Sequence, residues 1–210
     1  MLLTALLCAA LAQDAGVPPA ALPAQAPRGL ETGSPTAHAG APGMGPLTRH
    51  LAEAGQRGAW AYAHTPRGFV VTGRDPDSLD YAFTREGTGA DRTVSMRVTV
   101  SPGEGFAGIL LGFEPGGPSY HAFTVGADGV VSVWRRDEGG FRPVIQSRTG
   151  ALHAGENALA VIERGDAVRF LLNGEQVAEI ESRGLGEGGV GYLAGGRVEA
   201  ALSGFTVGTR

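Results

Sequence analysis

Four acidic residues, Asp75, Asp77, Asp80 and Glu86, stand at intervals that resemble a calcium-binding loop. Calcium collects carboxylate and carbonyl oxygens, but the helix-loop-helix version of such a loop needs a sharp-turn glycine where this chain has Asp80. The run therefore reads as a solvated acidic turn, with Ca2+ near Asp75, Asp77 and Asp80 as the alternative. Glycoside hydrolysis would need two carboxylates about 5–9.5 Å apart. The nearest run to a Glu-x-Asp-x-x-Glu spacing, which would set such acids on one strand face, is Glu179-Ile180-Glu181-Ser182-Arg183-Gly184, and it lacks both the Asp and the last Glu. The five histidines show no metal spacing. Cys8 is the single cysteine, and no nucleophile elbow, phosphate loop or dinucleotide fingerprint occurs. What remains is surface chemistry: Tyr120, Trp134 and Arg136, with Arg97 from another strand, would make a platform of rings and guanidinium groups. An aromatic ring packs on the apolar face of a sugar, and arginine donates to its hydroxyls. Glu114, Asp137 and Glu138 are the acids nearest that platform.

These residues must be positioned by β-strands. Val94, Met96, Val98 and Val100 alternate with Ser95, Arg97 and Thr99, the period of a half-buried strand. Leu159-Val161 and Val168-Phe170-Leu172 repeat the pattern. Gly165-Asp166 and Asn173-Gly174 supply tight turns, so residues 157–180 read as a meander of three strands. Further strands are expected at 69–72, 79–84, 106–113, 120–125, 130–135, 141–147, 189–194 and 198–207. The hairpin around Ala127-Asp128-Gly129 fixes its own register. A two-residue turn would set Phe123 opposite Trp134 and mix polar with apolar side chains on both faces. A three-residue loop with Gly129 left-handed pairs Phe123 with Val133 and Val125 with Val131, the segregation that a buried face selects. Tyr120, Thr124, Ser132, Trp134 and Arg136 then share the opposite face, while His121 lies beside Arg135 on the inner one. About a dozen strands without a convincing helix imply an all-β, two-sheet antiparallel sandwich over residues 60–210.

The N-terminal part has a different composition. Residues 2–11 are almost purely apolar, and Ala10-Leu11-Ala12 has the small-x-small pattern of a signal-peptidase site, so 1–12 reads as a signal peptide. A periplasmic or extracellular protein without cysteine, and so without disulfides, is the consequence. In residues 13–47, eight alanines, seven prolines and six glycines fill 21 of 35 positions, which predicts a disordered tether. Residues 48–59 are either a short helix or more linker. The formal charge of −4 gives no basic footprint for nucleic acid. After signal cleavage no run reaches the roughly 18 apolar residues of a membrane span.

The runs AGILLGF (107–113), SYHAFTVGADGVVSVWRR (119–136), ENALAVIERGDAVRFLLNGEQVAEI (156–180) and GGVGYLAGGRVEAALSGFTV (188–207) resemble a bacterial laminin-G-like domain. They are especially similar to the 3-keto-disaccharide hydrolase-like domains of the concanavalin A-like jelly-roll superfamily. The match is densest from Asn157-x-Leu159 through Asn173-Gly174 and closes on Phe205-Thr206-Val207. It implies a jelly roll whose concave face meets sugars or proteins. Glu156 stands where many relatives carry Trp, and Gly112-Phe113 where they often end a strand in Arg. The expectation is an exported, non-catalytic module that binds a glycan or an envelope protein. A hydrolase or lyase acting on 3-keto-disaccharides or related glycosides is the alternative, and a structural envelope component the second. If Trp134 is a ligand platform, Trp134→Ala removes binding with the melting temperature nearly unchanged; if it is structural cover, stability falls.

Overall fold

The structure is a computed structural model, and it describes residues 43–89, 91–181 and 185–209. Among these residues the strands are β1 (Gly55–Arg57), β2 (Trp60–Thr65), β3 (Gly68–Gly73), β4 (Leu79–Thr84), β5 (Arg92–Val100), β6 (Phe106–Phe113) and β7 (Tyr120–Gly126). They continue with β8 (Val130–Asp137), β9 (Gly140–Arg148), β10 (Asn157–Arg164), β11 (Ala167–Leu172), β12 (Glu175–Glu181), β13 (Gly189–Gly195) and β14 (Glu199–Thr209). An eight-stranded sheet runs β1-β2-β3-β14-β5-β10-β11-β12, and a six-stranded sheet runs β4-β13-β6-β7-β8-β9. Neighbouring strands are antiparallel, as in a jelly-roll sandwich.

Alternation builds the core as the sequence leads one to expect. In β5, Val94, Met96 and Val98 are buried while Thr93 and Arg97 face out. The 157–180 meander forms with Val161 opposite Phe170. Phe123 of the six-stranded sheet meets Phe170 of the other at 5.3 Å between ring centroids, so the two sheets close on aromatic contacts. The remaining expected strands are present, two of them with the same bounds (Leu79–Thr84 and Phe106–Phe113).

Three polar clusters fasten this apolar interior. The carboxylate of Asp80 accepts hydrogen bonds from the hydroxyls of Tyr62 at 2.8 Å and Tyr192 at 2.6 Å, linking both sheets. Arg92, 1% exposed, donates to Glu163 (2.9 Å) and to the carbonyls of Gly188 (2.8 Å) and Leu185 (2.7 Å). A buried charge is tolerated only when its donors are satisfied in this way. Asn157 accepts from the His153 amide and from Asn173 Nδ2 at 2.8 Å each. Asn173, at φ +51°, also donates to the Ala151 carbonyl. The two asparagines that carry the family resemblance thus pin the loop before β10 to the β11–β12 turn, a structural task.

The run read as a signal peptide, Cys8 and the expected tether as far as residue 42 lie outside the described residues. Residues 43–47 of the expected tether are folded where their composition predicts disorder. A 3₁₀ helix spans Gly45–His50, and Met44 and Leu47 are fully buried in the main core. The Phe205 amide donates to the Gly43 carbonyl at 2.8 Å, seating this segment against β14. Two large apolar side chains suffice to anchor it in the opening between β4 and β14, where the sandwich offers them a seat. Residues 43–59 are therefore part of the folded unit, and β1 and β2 extend the eight-stranded sheet.

Candidate functional site

The β7–β8 hairpin has the register that segregation demands. Phe123 pairs with Val133 and Val125 with Val131, and Gly129 closes the loop at φ +81°. Phe123, Val125, Val131 and Val133 enter the main core. Tyr120, Thr124, Ser132, Trp134 and Arg136 consequently project from the outward face of the six-stranded sheet.

That face carries a second apolar cluster. Leu110, Leu193 and Ala122 form its floor, roofed by Phe113, Tyr120 and Phe141, with Leu79, Tyr81, Phe83, Phe106 and Trp134 partly exposed around them. Every member comes from a strand of this one sheet, and among the described residues no helix or further sheet packs on it. Two backbone devices build it. Gly112, at φ +65°, shifts the register of β6 against β13 and turns Phe113 outward, where strict alternation would have sent it in. Gly195 leaves room for a ring, because a Cβ there would overlap Phe106 and come within 2.7 Å of Leu79.

Phe106, Trp134 and Phe141 lie nearly parallel. Trp134 is 5.0 Å from Phe106 at 24° and 4.8 Å from Phe141 at 7°, and the two phenyl centroids are 6.4 Å apart. The indole N–H is already used, donating to Thr124 Oγ1 at 2.8 Å, so the orientation of the ring is fixed from below. Tyr120 tilts against Phe113 at 5.5 Å and Phe141 at 6.1 Å. Its hydroxyl is buried without a partner, and burial pushes its pKa up to about 12. Arg136 stands opposite both Tyr120 and Phe141 in the adjoining strands.

The structure brings together Tyr120, Trp134 and Arg136 but not Arg97. Arg97 belongs to β5 in the other sheet, where it reaches Glu156 at 3.7 Å. Strand order is non-local, and β5 leaves its sequence neighbour β6 to lie between β14 and β10. Sequence reasoning also missed Phe106, Phe113 and Phe141, because the first and last occupy strand ends and the second is reoriented by a bulge. The Gly-Phe pair that departs from the family pattern was the available signal.

Of the acids near the platform, Asp137 is held by Arg142 in a bidentate pair (2.6 and 2.8 Å) and by Arg135 at 3.0 Å. The Arg142 bonds hold its carboxyl below the usual carboxylate range. Glu114 lies 3.6 Å from Arg85. Asp137, Glu138, Arg135 and Arg142 line a wide-open pocket of about 460 Å³ with Pro118 and Ser119. His121, at the inner side of that rim, is buried with Nδ1 unpartnered, and burial followed by the nearby Arg135 charge lowers its pKa to about 4. In the calcium-like run, Asp75 accepts from the Asp77 amide, while Asp80 faces the two tyrosines. Among the described residues no group of three His, Cys, Asp or Glu side chains could hold a metal ion.

No family model matches the sequence, and no curated protein matches it. Solved structures do match the fold. A carbohydrate binding module, CBM66 from Bacillus subtilis, superposes with a TM-score of 0.60 at 17% identity over 72% of this chain and 96% of its own. A Bacillus subtilis protein of unknown function with a galectin-like fold gives 0.57 at 11% identity, over 72% and 86%. The GH43 protein BlXynB from Bacillus licheniformis gives 0.56 at 14% identity, over 72% of this chain but only 35% of that one. The chain thus has a jelly-roll sandwich fold, with an aromatic outward face on its smaller sheet.

Proposed function

We propose that this chain is an exported, non-catalytic carbohydrate-binding module, and that it takes a saccharide on the outward face of the six-stranded sheet. The observation that carries the reading is the set of nearly parallel rings of Phe106, Trp134 and Phe141 on a face that no described element covers. Pyranose rings stack on such surfaces through their C–H faces, and a ring locked in place loses little entropy on binding. The likeness to the carbohydrate binding module CBM66 agrees with this. The non-catalytic part is supported by the outward positions of these strands, which carry no carboxylate, and by Asp137 and Glu114, which are engaged with arginines. Export, to the periplasm or beyond, is proposed from the apolar run and small-x-small site alone.

The test is a glycan array followed by calorimetry on the hits, run beside an incubation with 3-keto-disaccharides. Saturable binding to at least one glycan class, weakened by Phe106→Leu, with no product formed, is the expected result. Product formation would move the chain to the hydrolase or lyase class. An array without a hit would remove the carbohydrate reading and favour the structural or protein-binding role.

A further inference from the structure

We propose, resting on the carbohydrate reading, that the saccharide recognised by this face is acidic, with a uronate carboxylate taken by Arg136. The outward positions of β8 and β9 hold two arginines, Arg136 and Arg148, and Arg148 is tied to the Asp128 carbonyl at 2.6 Å. The neighbouring cations are engaged as well: Arg135 and Arg142 share Asp137, and Arg85 has Glu114. Arg136 alone of this group makes no hydrogen bond or ion pair among the described residues. It is half-buried beside the rings, opposite Tyr120 on one side and Phe141 on the other.

An uncompensated guanidinium at the border of an apolar face is poorly screened, so a bound anion gains more there than at an open surface. Its planar fork of donors matches the two oxygens of a carboxylate. A neutral sugar could stack on the same rings but would bury the charge beside it without an opposite one, a loss that a uronate avoids. The phenol of Tyr120, buried beside Arg136 with its hydroxyl unpartnered, gives this end of the face a second unmet polar group. The position of the charge selects the ligand class, and the rings supply the contact area.

The experiment is calorimetric titration of oligogalacturonate and alginate oligosaccharides against their carboxyl-reduced, neutral counterparts, using the whole chain and its Arg136→Gln and Arg136→Lys variants. The intact protein should prefer a uronate form by roughly ten- to a hundredfold, the range that a hydrogen bond to a charged group supplies. Arg136→Gln should bring the uronate down to the affinity of the reduced form, and Arg136→Lys should keep part of the preference. Raising the salt should weaken only the uronate complex. Equal affinity for charged and reduced chains, or a preference that survives Arg136→Gln, overturns the proposal while leaving a neutral-glycan module standing. Failure of every charged and neutral glycan to bind overturns both readings. Melting temperatures of the variants, expected within about 2 °C of the parent for a half-exposed side chain, keep a folding defect from passing as lost affinity.

Discussion

Replacing Trp134 with alanine removes both a surface for ligand and a piece of the fold. Truncating a fully buried aromatic costs ~3–5 kcal/mol. Trp134 is only partly buried, so about half of that, roughly 2 kcal/mol, is the packing loss, including its contacts to Phe106 and Phe141. Thr124, 1% exposed, would lose the indole N–H that donates to its hydroxyl, adding about 1 kcal/mol. The sum, about 3 kcal/mol, corresponds to a fall of about 6–12 °C in melting temperature for a domain of this size. Trp134→Phe keeps a ring in the stack and loses chiefly the hydrogen bond, so it should fall by about 2–4 °C. Differential scanning calorimetry on the two variants reads both numbers. A Trp134→Ala protein melting within about 2 °C of the parent would refute the stacked arrangement, since the ring would then contribute nothing beneath it. The expectation that an alanine here tests binding at constant stability therefore gives way, and the phenylalanine variant is the better probe of ligand contact.

Glu163→Leu, which strips the counter-charge from the buried Arg92, should cost ~3–5 kcal/mol, whereas the double change Arg92→Met with Glu163→Leu should cost less than either Glu163→Leu or Arg92→Met alone, as a double-mutant cycle by denaturant unfolding will show. Additive losses would mean that the pair is solvated. Gly195→Ala should displace the Phe106 ring, seen as a changed aromatic circular dichroism signal with the overall fold retained. His121 is neutral in the fold down to about pH 4 but protonates near its ordinary value of 6.5 once unfolded. Its stabilising contribution is full above that ordinary value and is lost as pH falls through the interval toward 4, so the parent's melting temperature should decline there and His121→Phe should decline less. Parallel declines would show that the imidazole is solvated in the native protein.

Much of this architecture was legible because it rests on local chemistry. Asp128-Gly129 and the alternation of Phe123, Val125, Val131 and Val133 fix one register, and only one segregates the faces. Asn173-Gly174 announces its turn because asparagine and glycine accept positive φ, which Asn173 adopts. What failed was non-local. Arg97 sits on a regular strand, yet its sheet depends on β14 arriving from the far end of the chain. Met44 and Leu47 look like isolated apolar residues in a Pro/Gly-rich stretch, and their burial depends on a gap between β4 and β14 that no local pattern encodes. The aromatic face was half visible: Tyr120, Trp134 and Arg136 follow from hairpin parity, but Phe106, Phe113 and Phe141 require the sheet order and the bulge at Gly112.

The proposed saccharide lies on the rings around Trp134. The chain has two tryptophans, and they report on different places: Trp60 is buried in the main core and Trp134 sits on the outward face. In a nitrogen-15 correlation spectrum of the titration, with Trp60→Phe assigning the two indole N–H signals, the glycan should move the Trp134 signal and leave that of Trp60 in place. Saturable glycan binding that leaves the Trp134 indole unmoved, together with the amides of β6 to β9, would contradict the account.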